Sequence, residues 1–153
     1  MLTADEPVVI HASSDDEALR AARGLHAVGL FAVRGYLTEA KPTETMQPLA
    51  LDELEQLVKT DAVEILDVRE KDERDEGYIV GSRHMPYRLV REFTDDFNGG
   101  KTVVTICSSG ARAAIAASVL QAAGVDARPV LGAGVEDWAE RGGGTVQFRR
   151  CGN

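Results

Sequence analysis

Cysteine is scarce in this chain: its 153 residues hold only Cys107 and Cys151. Two distant thiols, with no C-x-x-C, argue against a disulfide framework. The three histidines, His11, His26 and His84, show no metal-ligand spacing with either cysteine, so neither a zinc site nor any other metal or cofactor is called for. Positive charge is also short. Lys and Arg number 17 against 25 Asp and Glu, a net charge of -8. Nucleic acids and anionic membranes both require a basic face, so neither is expected as a partner. No apolar run approaches a membrane span. The opening residues Met1-Leu2-Thr3-Ala4-Asp5-Glu6 lack the basic region and apolar core of a signal peptide. These absences lead to the expectation of a soluble, cytoplasmic protein.

What is present is an α/β pattern. The hydrophobic fraction of 44% and charged fraction of 27% suit one domain of ordinary size with a real core. Val8–Ile10 reads as a short strand and 15–28 as a helix with Asp15, Asp16 and Glu17 in its first turn, where the dipole favours them. Phe31–Val33 reads as a second strand, and 38–48, with Pro42 and Pro48, as a linker. Leu51, Leu54, Leu57 and Val58 mark one face of a helix, and Val63–Val68 is a strand. The run 69–76 is almost entirely charged and reads as a short solvated helix. A turn region over 81–86, a helical turn over 88–93 and a loop at Asn98-Gly99-Gly100 follow. Then come a strand at 102–106, a helix at 112–123, a strand at 127–131, a helix at 136–141 carrying Trp138, and a short strand at 145–148. Strands alternate with helices, and several strands are continuously apolar. That predicts a parallel sheet with helices on both faces.

Residues 8–36 align without a gap on 103–131, an offset of 95. Val8, Val9, Ser13, Ser14, Ala18, Leu25 and Gly29 then match Val103, Val104, Ser108, Ser109, Ala113, Leu120 and Gly124. A self-match at fixed offset points to a duplicated unit. Residues 1–37 are therefore expected to be a degenerate half-copy of the main domain, 49–148, with 149–153 as a tail. Ala12 stands in this copy where Cys107 stands in the other, and Glu17 where Arg112 stands. The chain would then be the tail or remnant of a longer protein. An N-terminal β-α-β extension packed on the main sheet is the alternative.

The most informative segment is Cys107-Ser108-Ser109-Gly110-Ala111-Arg112. It follows the apolar run Thr102–Ile106 and precedes the alanine-rich stretch 113–123. A cysteine is thus expected at the carboxyl end of a buried strand, in a loop leading directly into a helix. Open α/β sheets build ligand sites there. Loop N–H groups and the helix dipole favour an anion, so the thiol ionises readily, and the thiolate is the nucleophile.

Residues about 50–142 resemble a rhodanese-like domain of the single-domain sulfurtransferase type. The resemblance rests on Ile65-Leu66-Asp67-Val68-Arg69-Glu70, on Gly77 to Pro86, on the Cys107–Arg112 loop and on Ala133-Gly134-Val135-Glu136-Asp137-Trp138, in the family's order and spacing. It departs where the family usually has His-Ile-Pro-Gly-Ala, here Tyr78-Ile79-Val80-Gly81-Ser82, and a Gly-Gly pair, here Ala133-Gly134. The resemblance implies that Cys107 takes a sulfane sulfur from a small donor, thiosulfate or a persulfide, and passes it to a thiol acceptor. Ser108, Ser109, Gly110, Ala111 and Arg112 would form the substrate cradle, their amides facing the sulfur. Gly110 would supply backbone angles closed to other residues. Arg112 would hold the loop closed or pair with an anionic donor through its planar fork. Asp67 and Arg69 would brace the site from below, or form an ordinary strand-end pair. Ser108, Ser109 and Ala111 are small and uncharged, so the pocket should be open and activity on thiosulfate modest. His84 and Trp138 read as structural, and Cys151 as a tail residue.

Two other functions stay open. A cysteine phosphatase or arsenate reductase resembles Cys-x5-Arg, whereas four residues separate Cys107 from Arg112 here. A non-catalytic module, delivering sulfur or binding a partner for a fused or upstream enzyme, is the rival of another class.

Overall fold

The computed structural model describes residues 2–39, 45–97 and 99–147. Cys151 and part of the linker read at 38–48 lie outside them. The chain divides into two compact units, one ending at Thr45 and one starting at Met46.

In the first unit, β1 (Val8–His11) and β2 (Val33–Leu37) pair in parallel, joined by the helix α1 (Asp15–Ala27). Ser14 Oγ accepts from the Glu17 N–H at 3.3 Å, and Glu17 Oε2 accepts from the Ser13 N–H at 2.8 Å, which fixes where α1 begins. Gly29, at φ 84°, ends it. β2 starts two residues later than its apolar run suggests. The Gly29 and Leu30 N–H groups close back on the His26 and Leu25 carbonyls, and Phe31 leaves the sheet to meet the His26 ring, 5.6 Å between centroids. This strand–helix–strand order matches the one around the cysteine loop. Such units recur throughout α/β proteins, so the shared order does not by itself establish duplication.

The second unit opens with α2 (Leu51–Lys59), β3 (Val63–Asp67), α3 (Lys71–Glu76), β4 (Tyr78–Ile79) and β5 (Arg83–His84). Two 3-10 turns, Val90–Glu92 and Thr94–Phe97, lead to β6 (Thr102–Ile106), α4 (Ala111–Ala122), β7 (Ala127–Pro129), α5 (Val135–Glu140) and β8 (Thr145–Val146). Four strands form one parallel sheet in the order β5-β3-β6-β7. Its alternating residues feed two cores. Leu66 and Val103 pack with Ala113, Ala116, Ala117 and Leu120 of α4 and with Val90 and Phe97. Ile65, Val104 and Ile106 pack on the opposite side with Leu51 and Leu54 of α2 and Val135 and Trp138 of α5. Helices therefore cover both faces, as the apolar strands predict. The buried face of α4 is mostly alanine, which lets the helix lie close to the sheet. Fully burying a side chain such as Leu54 or Leu66 contributes about 1.5–3 kcal/mol.

Three features differ from the sequence reading. The turn region 81–86 holds β5, which extends the sheet beside β3. Tyr78–Ile79 pairs antiparallel with Thr145–Val146 in a separate ribbon. The strand expected over 127–131 ends at Pro129, with Val130 continuing only as a bridge to Leu49. Two-residue strands are too short to show periodicity, and tertiary pairing alone makes them strands.

Candidate active site

β6 lies between β3 and β7, so its carboxyl end opens onto the middle of the sheet edge. Cys107 is the next residue, and α4 begins four residues after it. The turn between them wraps the sulfur. The Gly110 N–H donates to Cys107 Sγ at 3.1 Å. Burial pushes the thiol up, and the N–H groups of Ser109, Ala113, Gly110 and Arg112 together outweigh it, holding the thiol below its ordinary value. These amides come from 109, 110, 112 and 113, where the sequence reading expects those of 108–112.

The open pocket is not found. Cys107 is 0% exposed, beneath exposed Ser108 and Ser109. The cause lies in the backbone. Gly110 has φ 102°, and a Cβ there would sit 2.8 Å from Leu131 Cα. A Cβ on Gly134 would sit 2.2 Å from the Ser108 carbonyl oxygen and 2.4 Å from that of Cys107. The Val135 N–H donates to the Cys107 carbonyl at 3.1 Å. The cysteine turn is thus pressed against the loop that precedes α5, and small side chains at 108–111 do not open it.

Arg112 closes the turn from the other side. Its Nη1 and Nη2 donate to Glu73 Oε2 and Oε1 at 2.5 and 2.7 Å, and Nη2 also donates to Ser108 Oγ at 3.1 Å. A cation at a helix start is disfavoured by the dipole, and the Glu73 carboxylate offsets that. Glu73 in turn accepts from the Glu70 N–H at 3.0 Å, as the third residue of a capping box that starts α3. Of the charged run 69–76, Lys71–Glu76 forms the expected helix, which is not simply a solvated one.

Asp67 and Arg69 are both buried, with 1% and 5% of their side chains exposed. Arg69 grips Asp67 bidentately at 3.0 and 2.7 Å, and Arg74 adds a bond to Asp67 Oδ2 at 3.2 Å. Arg69 also donates to the Glu73 and Gly77 carbonyls, at 3.3 and 2.7 Å. The pair is thus no surface ion pair. Through Arg69 it holds the backbone of α3 at Glu73 and just past its end at Gly77, next to the Glu73–Arg112 pair. Asp67→Asn leaves two guanidiniums facing a neutral amide, and we expect a loss of about 3–5 kcal/mol in denaturant unfolding. His84 Nε2 lies 2.9 Å from the Arg69 carbonyl, a structural bond. Trp138 is buried in the core formed with Leu51 and Leu54 of α2.

Glu73 is the site residue the sequence reading misses. Its capping position is legible three residues after Glu70, but its partner lies 39 residues away. The Arg112 bonds hold the Glu73 carboxyl down to about 2, against the opposing effect of burial. Because its folded pKa lies below the ordinary 4.5, the pair stabilises the fold above pH 4.5 and stops doing so as pH falls towards 2. The melting-temperature gap between the wild type and Glu73→Gln should be present at pH 6 and close by pH 2. It should shrink in high salt, since the pair is part-exposed.

Among the described residues no group of three or more His, Cys, Asp or Glu side chains could hold a metal ion, and no helix is long and apolar enough to cross a membrane. Fold and site together define a parallel α/β domain that presents a cysteine in an amide-lined turn at a strand end. Residues 50–141 match the rhodanese-like domain, and the chain belongs to that family. It is 30% identical to a solved rhodanese-related protein from Thermoplasma volcanium, with a TM-score of 0.60 over 67% of this chain and 99% of that one. A Rhodopseudomonas palustris protein of unknown function, described as a possible tyrosine phosphatase, shares the fold at 24% identity and a TM-score of 0.61, over 71% of this chain and 98% of that one. A candidate sulfur carrier protein of Bacillus subtilis (strain 168), YrkF, is 28% identical over 109 residues. The match covers 71% of this chain and 59% of that protein, so this chain spans about three-fifths of its relative's length.

Proposed function

We propose that the protein is a sulfurtransferase in which Cys107 carries the sulfur. The Cys107 thiolate attacks the outer sulfur of a donor, forming a new S–S bond. The donor's own S–S bond breaks, and the leaving group, sulfite from thiosulfate or a thiolate from a persulfide, departs with the electron pair. An acceptor thiolate then attacks the outer sulfur of the Cys107 persulfide and regenerates the Cys107 thiolate. The observation that carries this reading is the set of N–H groups directed at Cys107 Sγ, which supports negative charge on that sulfur without a metal or a general base. Asp67 and Arg69 act as positioning residues, and the amides of Ser109, Gly110, Arg112 and Ala113 as the cradle.

A phosphatase reading is less well served. The guanidinium that would bind the phosphoryl oxygens already has its fork on Glu73. A sulfur-delivery module for a partner enzyme differs from the enzyme reading only in turnover, and the longer sulfur-carrier relative favours considering it. Intact-protein mass spectrometry after incubation with sulfur donors tests the reading. A gain of one sulfur at Cys107 supports it. No gain with any donor, alongside phosphatase turnover, overturns it. Repeated turnover with a thiol acceptor separates the enzyme from the carrier.

A further inference from the structure

We propose that the cavity beside Trp138 is a binding site for one ordered water, which accepts the indole N–H, donates to the Glu55 carboxylate and so ties α5 to α2 behind the cysteine turn. Sulfur transfer at Cys107 is not a premise of this site.

The indole N–H carries the argument. Trp138 is 6% exposed, and its Nε1 is buried with no hydrogen-bond partner among the described residues. An indole nitrogen only donates, so a buried one that meets no acceptor forfeits the bond that water gives it in the unfolded chain. Buried tryptophans usually find such a partner. The core side supplies none, because Trp138 shares that core with apolar side chains such as Leu54 and Ile106. The other side of the ring differs. A Cβ on Gly143 would come within 2.2 Å of Nε1 and 2.4 Å of both Cδ1 and Cε2. The backbone comes this close because the chain folds back after α5, with the Gly143 N–H on the Trp138 carbonyl at 3.0 Å. The nitrogen-bearing ring of the indole therefore faces the segment after α5. There Gly143 and Trp138 line a small cavity with Leu51, Glu55 and Arg141. The centre of a water-sized sphere has about 10 Å³ in it, room for one water and for no larger ligand.

Two half-exposed charged side chains complete the water's bonding. Glu55 accepts from Lys59 through Oε1 at 2.7 Å, and its carboxylate has further lone pairs. Arg141 donates through Nη1 to Asp52, and its guanidinium has further N–H groups. A water on Nε1 accepts the indole proton, turns a hydrogen of its own towards Glu55 and can accept from Arg141. That makes about three partners, the usual number for an ordered buried water. The bridge joins α5 to α2. Since α5 opens on Val135, whose N–H holds the Cys107 carbonyl at 3.1 Å, fixing α5 also fixes the loop packed on the cysteine turn.

Trp138 is the only tryptophan, so its indole N–H gives a single signal in the nitrogen-15-labelled full chain. A rotating-frame Overhauser cross-peak between that proton and water is expected, opposite in sign to a hydrogen-exchange peak. Glu55→Leu removes the acceptor and should abolish the cross-peak. Glu55→Gln, whose amide oxygen still accepts, should keep it. Lys59→Met should keep it too, because a cross-peak relayed through exchanging ammonium protons would vanish there. No cross-peak in the wild type, a cross-peak undiminished in Glu55→Leu, or one lost in folded Lys59→Met overturns the proposal. The wild-type measurement stands even where a variant folds poorly, which its melting curve reveals. Each of these outcomes leaves the sulfur-transfer reading where the loading experiment puts it.

Discussion

Cys107→Ser is expected to load no sulfur from any donor, and transfer to thiols should fall to the uncatalysed level, a loss of at least about three orders of magnitude. The substitution is nearly isosteric, so the variant should fold. The serine hydroxyl can still meet the Gly110 N–H that reaches Sγ at 3.1 Å. What it cannot do is ionise near neutral pH, because four amide dipoles that suffice for a thiol are far too weak for an alcohol. Nor does oxygen form the stable bond to sulfane sulfur that a persulfide is. A one-sulfur mass gain that persists in Cys107→Ser would move the reaction to another residue.

Gly134→Ala is expected to be the most damaging single-methyl change near the site. Its Cβ would fall 2.2 Å from the Ser108 carbonyl oxygen and 2.4 Å from that of Cys107. Both are backbone atoms, so no side chain can swing away, and one loop must move. Loss of the Val135 N–H bond to the Cys107 carbonyl should accompany the shift. Overpacking of this kind costs about 1–3 kcal/mol, read as a lower denaturant midpoint. A turn pushed out of place also loses aim on the sulfur. The pH midpoint for alkylation of Cys107 by iodoacetamide should therefore move up. An unchanged midpoint in a folded variant would show that the amides hold the thiolate without this packing. The neighbouring Ala133 shows the contrast. It packs its methyl against the core that holds Trp138, so of the two glycines usual in the family only the second is sterically required here.

The central part of this fold is legible in the sequence because local and tertiary signals agree there. Thr102–Ile106 is apolar and β-branched, the alanines after Arg112 favour helix, and Gly124 ends it at φ 85°. The cysteine turn lies between two strong elements, so its place at the sheet edge follows. The charged run 69–76 is where the reading falls short. Charge runs usually face water, and nothing local distinguishes Lys71, on the surface, from Glu73, whose partner comes from α4. The closed turn is hidden for a related reason. Side-chain size at Ser108 and Ser109 says nothing about how near the backbone of Gly134 approaches, and that approach is what buries the sulfur. β4 and β5 are invisible because two residues cannot express a period.

Ionised thiols are the first groups that peroxide attacks, and each further oxidation step beyond sulfenic acid is harder to reverse. Here the sulfur with the depressed pKa has no surface at all. An oxidant in solution meets exposed Ser108 and Ser109 and not the sulfur beneath them. For the sulfur carrier proposed above, oxidative damage would then be limited by access to Sγ and not by how much thiolate is present.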